Sequence, residues 1–132
     1  MRKSGLIAAA VFVLAAGAAG ADPLEGTWQT SADDNGNYGH IQVSACGDAF
    51  CGVLTRSFGA GGAEIESENI GKRIIWDMKA LGGGKYGRGK IWSPDRDQVY
   101  NSKMTLGGDT VNVKGCVLII CRDGGTWHRV NN

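Results

Sequence analysis

Residues 73–116 read RIIWDMKALGGGKYGRGKIWSPDRDQVYNSKMTLGGDTVNVKGC, and this stretch decides the fold. Four short runs, Arg73–Leu81, Lys85–Trp92, Gln98–Leu106 and Thr110–Cys116, mix apolar and polar residues without helical periodicity. Between them stand Gly82-Gly83-Gly84, Ser93-Pro94-Asp95-Arg96-Asp97 and Gly107-Gly108-Asp109. Glycine, proline and aspartate there favour tight reversals, so the runs read as consecutive antiparallel strands. Strict alternation puts Ile74, Trp76, Met78 and Ala80 on one face of the first strand. On the second it puts Tyr86, Arg88, Lys90 and Trp92 on a common face.

The same grammar extends outward. Upstream, Gly26–Thr30, His40–Cys46 and Cys51–Phe58 read as strands, with a turn at Asp33–Asn37. In His40–Cys46, the residues Ile41, Val43 and Ala45 alternate with an outward His40, Gln42 and Ser44. A loop from Gly59 carries Glu64, Glu66 and Glu68, with a short helical turn expected at Glu66–Gly71. Downstream, Thr126–Val130 is the last strand. About seven or eight short strands with no covering helix leave a sheet with exposed edges. Closure into a small antiparallel up-and-down barrel removes them. A two-sheet sandwich is the alternative.

The chain has 132 residues, 42% hydrophobic and 20% charged, with 22 glycines and 2 prolines. That length suits one domain, and the composition excludes a disordered chain. A net charge of +1 argues against an electrostatic nucleic-acid binder. Arg2 and Lys3, the apolar Leu6–Ala16 and the small-x-small Ala19-Gly20-Ala21 form an export signal, residues 1–21, cleaved after Ala21. The apolar run is short for a bilayer of ~30 Å. Removing 21 residues from 132 leaves 111, a single domain over residues 22–132. The signal takes the 14 Lys and Arg to 12 against 13 Asp and Glu. No stretch in the mature chain is apolar enough to span a membrane. The expected location is periplasmic or secreted.

Cys46, Cys51, Cys116 and Cys121 then lie in an oxidising compartment, where pairs become disulfides. Cys46 and Cys51 flank a loop of hairpin length, which puts them within bonding reach. Val117-Leu118-Ile119-Ile120, between the other two, are poor turn formers. Were they extended, the sulfurs would stand ~17 Å apart. Four cysteines allow three connectivities, and two local bridges are expected. A local bridge stabilises by about 2 kcal/mol in the entropy model. The spacing suits neither a zinc site nor a redox pair.

Gly26-Thr27-Trp28 near the start and Trp127-His128-Arg129 at the end occupy strands that meet when an up-and-down barrel closes. Arg129 over the Trp28 indole would be a structural closure contact worth ~0.5–2 kcal/mol. This pair resembles the G-x-W and C-terminal arginine of lipocalins and related calycin barrels. The mature chain further resembles a family of small exported bacterial proteins of unknown function. The matching residues are Gly26, Trp28, Cys46-Gly47, Cys51-Gly52, Gly89-Lys90-Ile91, Pro94-Asp95, Tyr100, Lys103, Gly115-Cys116, Trp127 and Arg129. The resemblance implies a lipocalin-like barrel and export. The loop around Gly59–Gly71 departs from it, being shorter and more acidic.

No catalytic constellation is visible. His40 and His128 are the only histidines, His40 reads as solvent-exposed, and no nucleophile elbow occurs. Asp33-Asp34-Asn35-Gly36 lacks the later bidentate glutamate of a calcium loop. No metal and no cofactor are expected. The ligand-contact candidates are Tyr86, Lys90, Trp92 and Tyr100. The expected function is a non-enzymatic periplasmic binding protein for a small apolar, hydrophobic or amphipathic ligand. The alternative is a protein-binding module, such as an inhibitor of an exported hydrolase. Its protein partner would touch Val117–Ile120.

Overall fold

Glycine-marked turns and alternating runs condense into nine strands in the computed structural model, which describes residues 21–131. They are β1 (Gly26–Gln29), β2 (Tyr38–Cys46), β3 (Ala49–Phe58), β4 (Glu64–Ile65), β5 (Arg73–Gly82), β6 (Lys85–Ser93), β7 (Gln98–Gly107), β8 (Thr110–Val117) and β9 (Ile120–Arg129). All but β4 form a closed, antiparallel, up-and-down barrel of eight strands. Short β1 closes it by pairing with β2 on one side and β9 on the other, and β2 also pairs with β3. The two-residue β4 hangs on the end of β3. The described residues contain no helix, and the helical turn expected at Glu66–Gly71 is an irregular turn instead. The expected export signal, save its last residue, lies outside the described residues.

Two bulges alter which side chains point inward. Asp77 and Arg88 have φ of 54° and 59°. Beside them, β3 and β5 lose register between Phe50 and Gly52, and β6 and β7 between Tyr86 and Gly89. An inserted residue shifts the alternation by one and exchanges the faces beyond it. The expected face of Ile74, Trp76, Met78 and Ala80 is therefore broken. Ile75 and Met78 are the fully buried pair, while Trp76 is half-buried and Ala80 exposed. The expected stripe of Tyr86, Arg88, Lys90 and Trp92 breaks in the same way. Tyr86 is buried, whereas Arg88 and Lys90 are exposed. Gly89 is where β6 approaches β5 most closely. A Cβ there would lie 2.8 Å from both the Met78 Cα and the Trp76 carbonyl oxygen.

Both disulfides are local. Cys46–Cys51 joins β2 to β3 with Cα atoms 5.7 Å apart. Cys116–Cys121 joins β8 to β9 at 4.0 Å. The extended geometry that would part the second pair is avoided because the chain reverses within Leu118-Ile119, with Leu118 at φ 55°.

One end of the barrel is plugged. Trp28, Val43, Met78, Tyr86, Met104 and Val111 fill it, none more than 4% exposed. Burying each such large side chain contributes roughly 1.5–3 kcal/mol. Residues 22–25 strap across that end, with Leu24 fully buried beneath. The strap is tied at every residue. Trp28 Nε1 donates to the Leu24 carbonyl at 2.8 Å, and Leu24 N–H to Asp22 Oδ1 at 2.8 Å. The Tyr86 hydroxyl donates to the same carboxylate. Arg129 donates to the carbonyls of Glu25 and Pro23.

Candidate functional site at the barrel mouth

The opposite end is open. There β2, β3, β5, β6, β8 and β9 present Ile41, Leu54, Ile74, Ile91, Val113 and Trp127 to a cavity of about 1080 Å³. The opening follows from residue size along the strands. Where β7 and β8 lie below the mouth, Ser102 and Gly115 are paired neighbours. Together they leave more room than the Met104–Val113 pair one step further in. Ser102 is buried, and its hydroxyl is spent on the Lys114 carbonyl at 2.9 Å.

Aromatic side chains line the rim. Tyr100 lies over Gly115, where a Cβ would stand 3.4 Å from its own Cβ, and its hydroxyl donates to Gln98 at 2.9 Å. Trp92 donates from Nε1 to Asp97 at 3.0 Å and lies under the Lys72 ammonium, 5.4 Å from the ring centroid. Across the opening Tyr38 stacks on Phe58 at 5.0 Å. Arg56 covers the Phe58 ring and pairs with Glu64 at 2.6 Å. That hydrogen bond holds the Glu64 carboxyl below its ordinary range. The polar rim includes Arg96 and Arg122 as well as Asp33, Glu66, Asp95 and Asp123. The backbone N–H of Gly125, then Asn112, hold the Asp123 carboxyl below its ordinary pKa. The site thus offers an apolar well beneath a mixed-charge rim. A ligand with an apolar body and a polar end matches both parts.

The four ligand-contact candidates are not brought together. Trp92 and Tyr100 border the cavity. Tyr86 is in the plugged end, its hydroxyl on Asp22, and burial followed by that hydrogen bond pushes its pKa well above the usual phenol value. Lys90 lies exposed on the outer wall and donates to Asn101 at 2.6 Å. The Arg88 bulge separates them, because it exchanges inside and outside between Tyr86 and Lys90. Arg96, Arg122, Tyr38 and Phe58 are mouth residues that sequence reasoning missed. Their position at the ends of strands and in connecting turns is the signal that could have found them.

At the other end Arg129 lies 4.3 Å over the Trp28 ring, and the two are paired in register. His40 corrects the expectation of exposure. It is 8% exposed, 4.8 Å from Phe58, with Nε2 3.3 Å from Gln29. Burial first, and the charge of Arg56 second, lower its pKa. Among the described residues no group of three His, Cys, Asp or Glu side chains is arranged to hold a metal ion. None of their helices is long and apolar enough to cross a membrane.

No relative was found among curated proteins. Among solved structures the chain is similar to protein HP1028 of Helicobacter pylori, described as belonging to the lipocalin family. The TM-score is 0.66 at 12% identity, over 83% of this chain and 84% of that one. At that identity the likeness speaks for the fold: the barrel is lipocalin-like. Residues 26–129 match a family described as uncharacterized protein conserved in bacteria, DUF2147. From the first barrel strand to the last, the chain belongs to that family.

Proposed function

We propose that this is an exported, non-enzymatic binding protein that holds a small apolar or amphipathic ligand in the mouth of its barrel. The observation that carries the reading is the uneven filling of one barrel. A plugged lower end supplies stability, and a cavity of about 1080 Å³, with apolar walls and a polar rim, is left above it. A barrel of this strand number is either filled by its own side chains or holds one small ligand, and here the upper part is unfilled. The ligand's apolar body would lie against Ile41, Leu54, Val113 and Trp127. Its polar end would reach the rim, where Arg96 and Arg122 suit a carboxylate and Asp33 and Glu66 suit a cation. Trp92 and Tyr100 are the proposed contacts at the neck. Two local disulfides fit an oxidising compartment.

The test is a fluorescence titration of the chain beginning at Asp22 with a dansylated fatty acid. Saturable one-site binding is expected, weakened about tenfold in Trp92→Ala, equivalent to ~1.4 kcal/mol. The variant's melting temperature should move little. No saturable binding, or equal binding by the variant, contradicts the reading.

A further inference from the structure

The turn that joins β8 to β9 is a finger of four consecutive aliphatic residues. Val117, Leu118, Ile119 and Ile120 are 59, 86, 93 and 67% exposed. Val99, 53% exposed, extends the patch on the neighbouring strand, since Asn101 two residues further pairs with Cys116. Among the described residues nothing covers this tip. Cys116–Cys121 locks its base. Leu118 occupies the left-handed region, which glycine or asparagine would fill at lower cost. A turn shaped for stability or solubility alone would not place leucine and isoleucine there.

The tier behind the finger is cationic. Lys90, Lys103 and Lys114 are exposed on the outer wall of β6, β7 and β8, and Arg88 and Lys85 continue the band. Lys103 and Lys114 are direct cross-strand partners, an arrangement in which like charges repel. None of the five is in an ion pair among the described residues. Lys90 donates to Asn101. Asp123, opposite Lys114, feels its charge, but accepts its hydrogen bonds from Asn112 and the Gly125 N–H rather than from the ammonium. The β6–β7 turn adds Asp95 and Asp97 around Arg96, but their oxygens accept from Ser93 and Trp92. The other acids lining the mouth, Asp33 and Glu66, sit on the connections after β1 and before β5. Those strands are not neighbours of β7 or β8.

Lys114 lies three residues behind Val117, roughly 10 Å along an extended strand. An aliphatic tip followed at that depth by unpaired lysines matches the order of a bilayer surface, acyl chains below and anionic headgroups above. Protein contact sites are instead dominated by tryptophan, tyrosine and arginine anchors, and the tip has none. We propose that the β8–β9 finger and the lysine tier dock the barrel on an anionic lipid bilayer. Val117 and Ile120 also border the cavity, so docking turns the mouth toward the lipid. The inference stands apart from ligand binding, because the finger and lysines are tested without any ligand in the barrel.

The experiment is flotation of the chain beginning at Asp22 with vesicles of phosphatidylglycerol and phosphatidylethanolamine, or of phosphatidylcholine alone. Binding to the anionic vesicles that falls in high salt is expected. Leu118→Ser/Ile119→Ser should lose at least tenfold in vesicle affinity. Lys103→Glu/Lys114→Glu should lose it on anionic vesicles only. At about 1 kcal/mol per lysine the loss is roughly fivefold for each charge removed, and more on reversal. All four side chains are exposed, so urea midpoints should match the parent and separate docking from misfolding. A parent that does not float with anionic vesicles overturns the proposal. So do variants that float like the parent, or a finger that captures only protein while lipid vesicles bind nothing.

Discussion

On β6 and β7 the same two strands supply both ends of the barrel. Tyr86 and Met104, at the plugged end, are 4% and 2% exposed. Ile91, Trp92 and Tyr100, toward the mouth, are only half-buried. The bulge at Arg88 interrupts the register between them, but β6 and β7 stay paired on both sides of it, so the presence of strands does not create the difference. Two local devices do. At the closed end the strap of residues 22–25 brings in Leu24 and is tied by Trp28, Tyr86 and Arg129. At the mouth no comparable strap crosses among the described residues, and Ser102 and Gly115 stand where larger residues would close the well. One barrel thus separates a filled, stabilising end from an open one.

Predictions follow the same division. The largest effect belongs to the plug. Trp28→Ala should cost about 3–5 kcal/mol in urea unfolding, because it empties the closed end, strands the Leu24 carbonyl and removes the ring under Arg129. A loss below about 1 kcal/mol would mean that the strap does not govern stability. Next comes the bulge between the two regions. Gly89→Ala drives a methyl group against the β5 backbone, which cannot move like a side-chain end, and should cost about 1–3 kcal/mol. A neutral result would show that β5 and β6 relax there.

The mouth should respond in the other currency. Tyr100→Ala should lower stability by no more than about 1.5 kcal/mol, since the ring is half-buried. It should weaken dansylated fatty acid binding about tenfold, or ~1.4 kcal/mol. A large stability loss with unchanged binding would assign Tyr100 to the core. The smallest effect concerns pH and the buried His40 beside Phe58. Burial and Arg56 keep folded His40 less basic than it is when unfolded. As pH falls through about 6.5, the unfolded chain therefore takes up its proton first, and stability drops. Above that range His40 makes no pH-dependent contribution. The His40→Gln variant should lose this part of the pH dependence in thermal melts. An identical profile would assign it to other groups.

Strands and turns were readable because glycine, proline and aspartate sit where the chain reverses and apolar residues alternate between them. A closed barrel follows from the lack of a covering helix, and its lipocalin-like character from the resemblance carried by Gly26-Thr27-Trp28 and Arg129. The facing of β5 and β6 was not readable. Its bulges sit on Asp77 and Arg88, residues without the conformational freedom that announces a left-handed backbone. Alternation carried through them inverts the faces and groups Tyr86 and Lys90 with Trp92. The Leu118-Ile119 reversal was hidden for a related reason: the disulfide and strand pairing impose a turn that local propensity opposes. Trp92 and Tyr100 were singled out from sequence and lie at the cavity. The rim residues contributed by turns, Arg96 above all, depend on how loops fold over the opening, which strand periodicity does not encode.

The most direct measurement of the central claim is a native mass spectrum of the processed protein, purified without reductant from cells that export it. The expected result is a reproducible excess mass that disappears on denaturation and is diminished in the Trp92→Ala protein. A bare mass in both, together with failure to bind the dansylated fatty acid, would contradict a ligand in the barrel mouth.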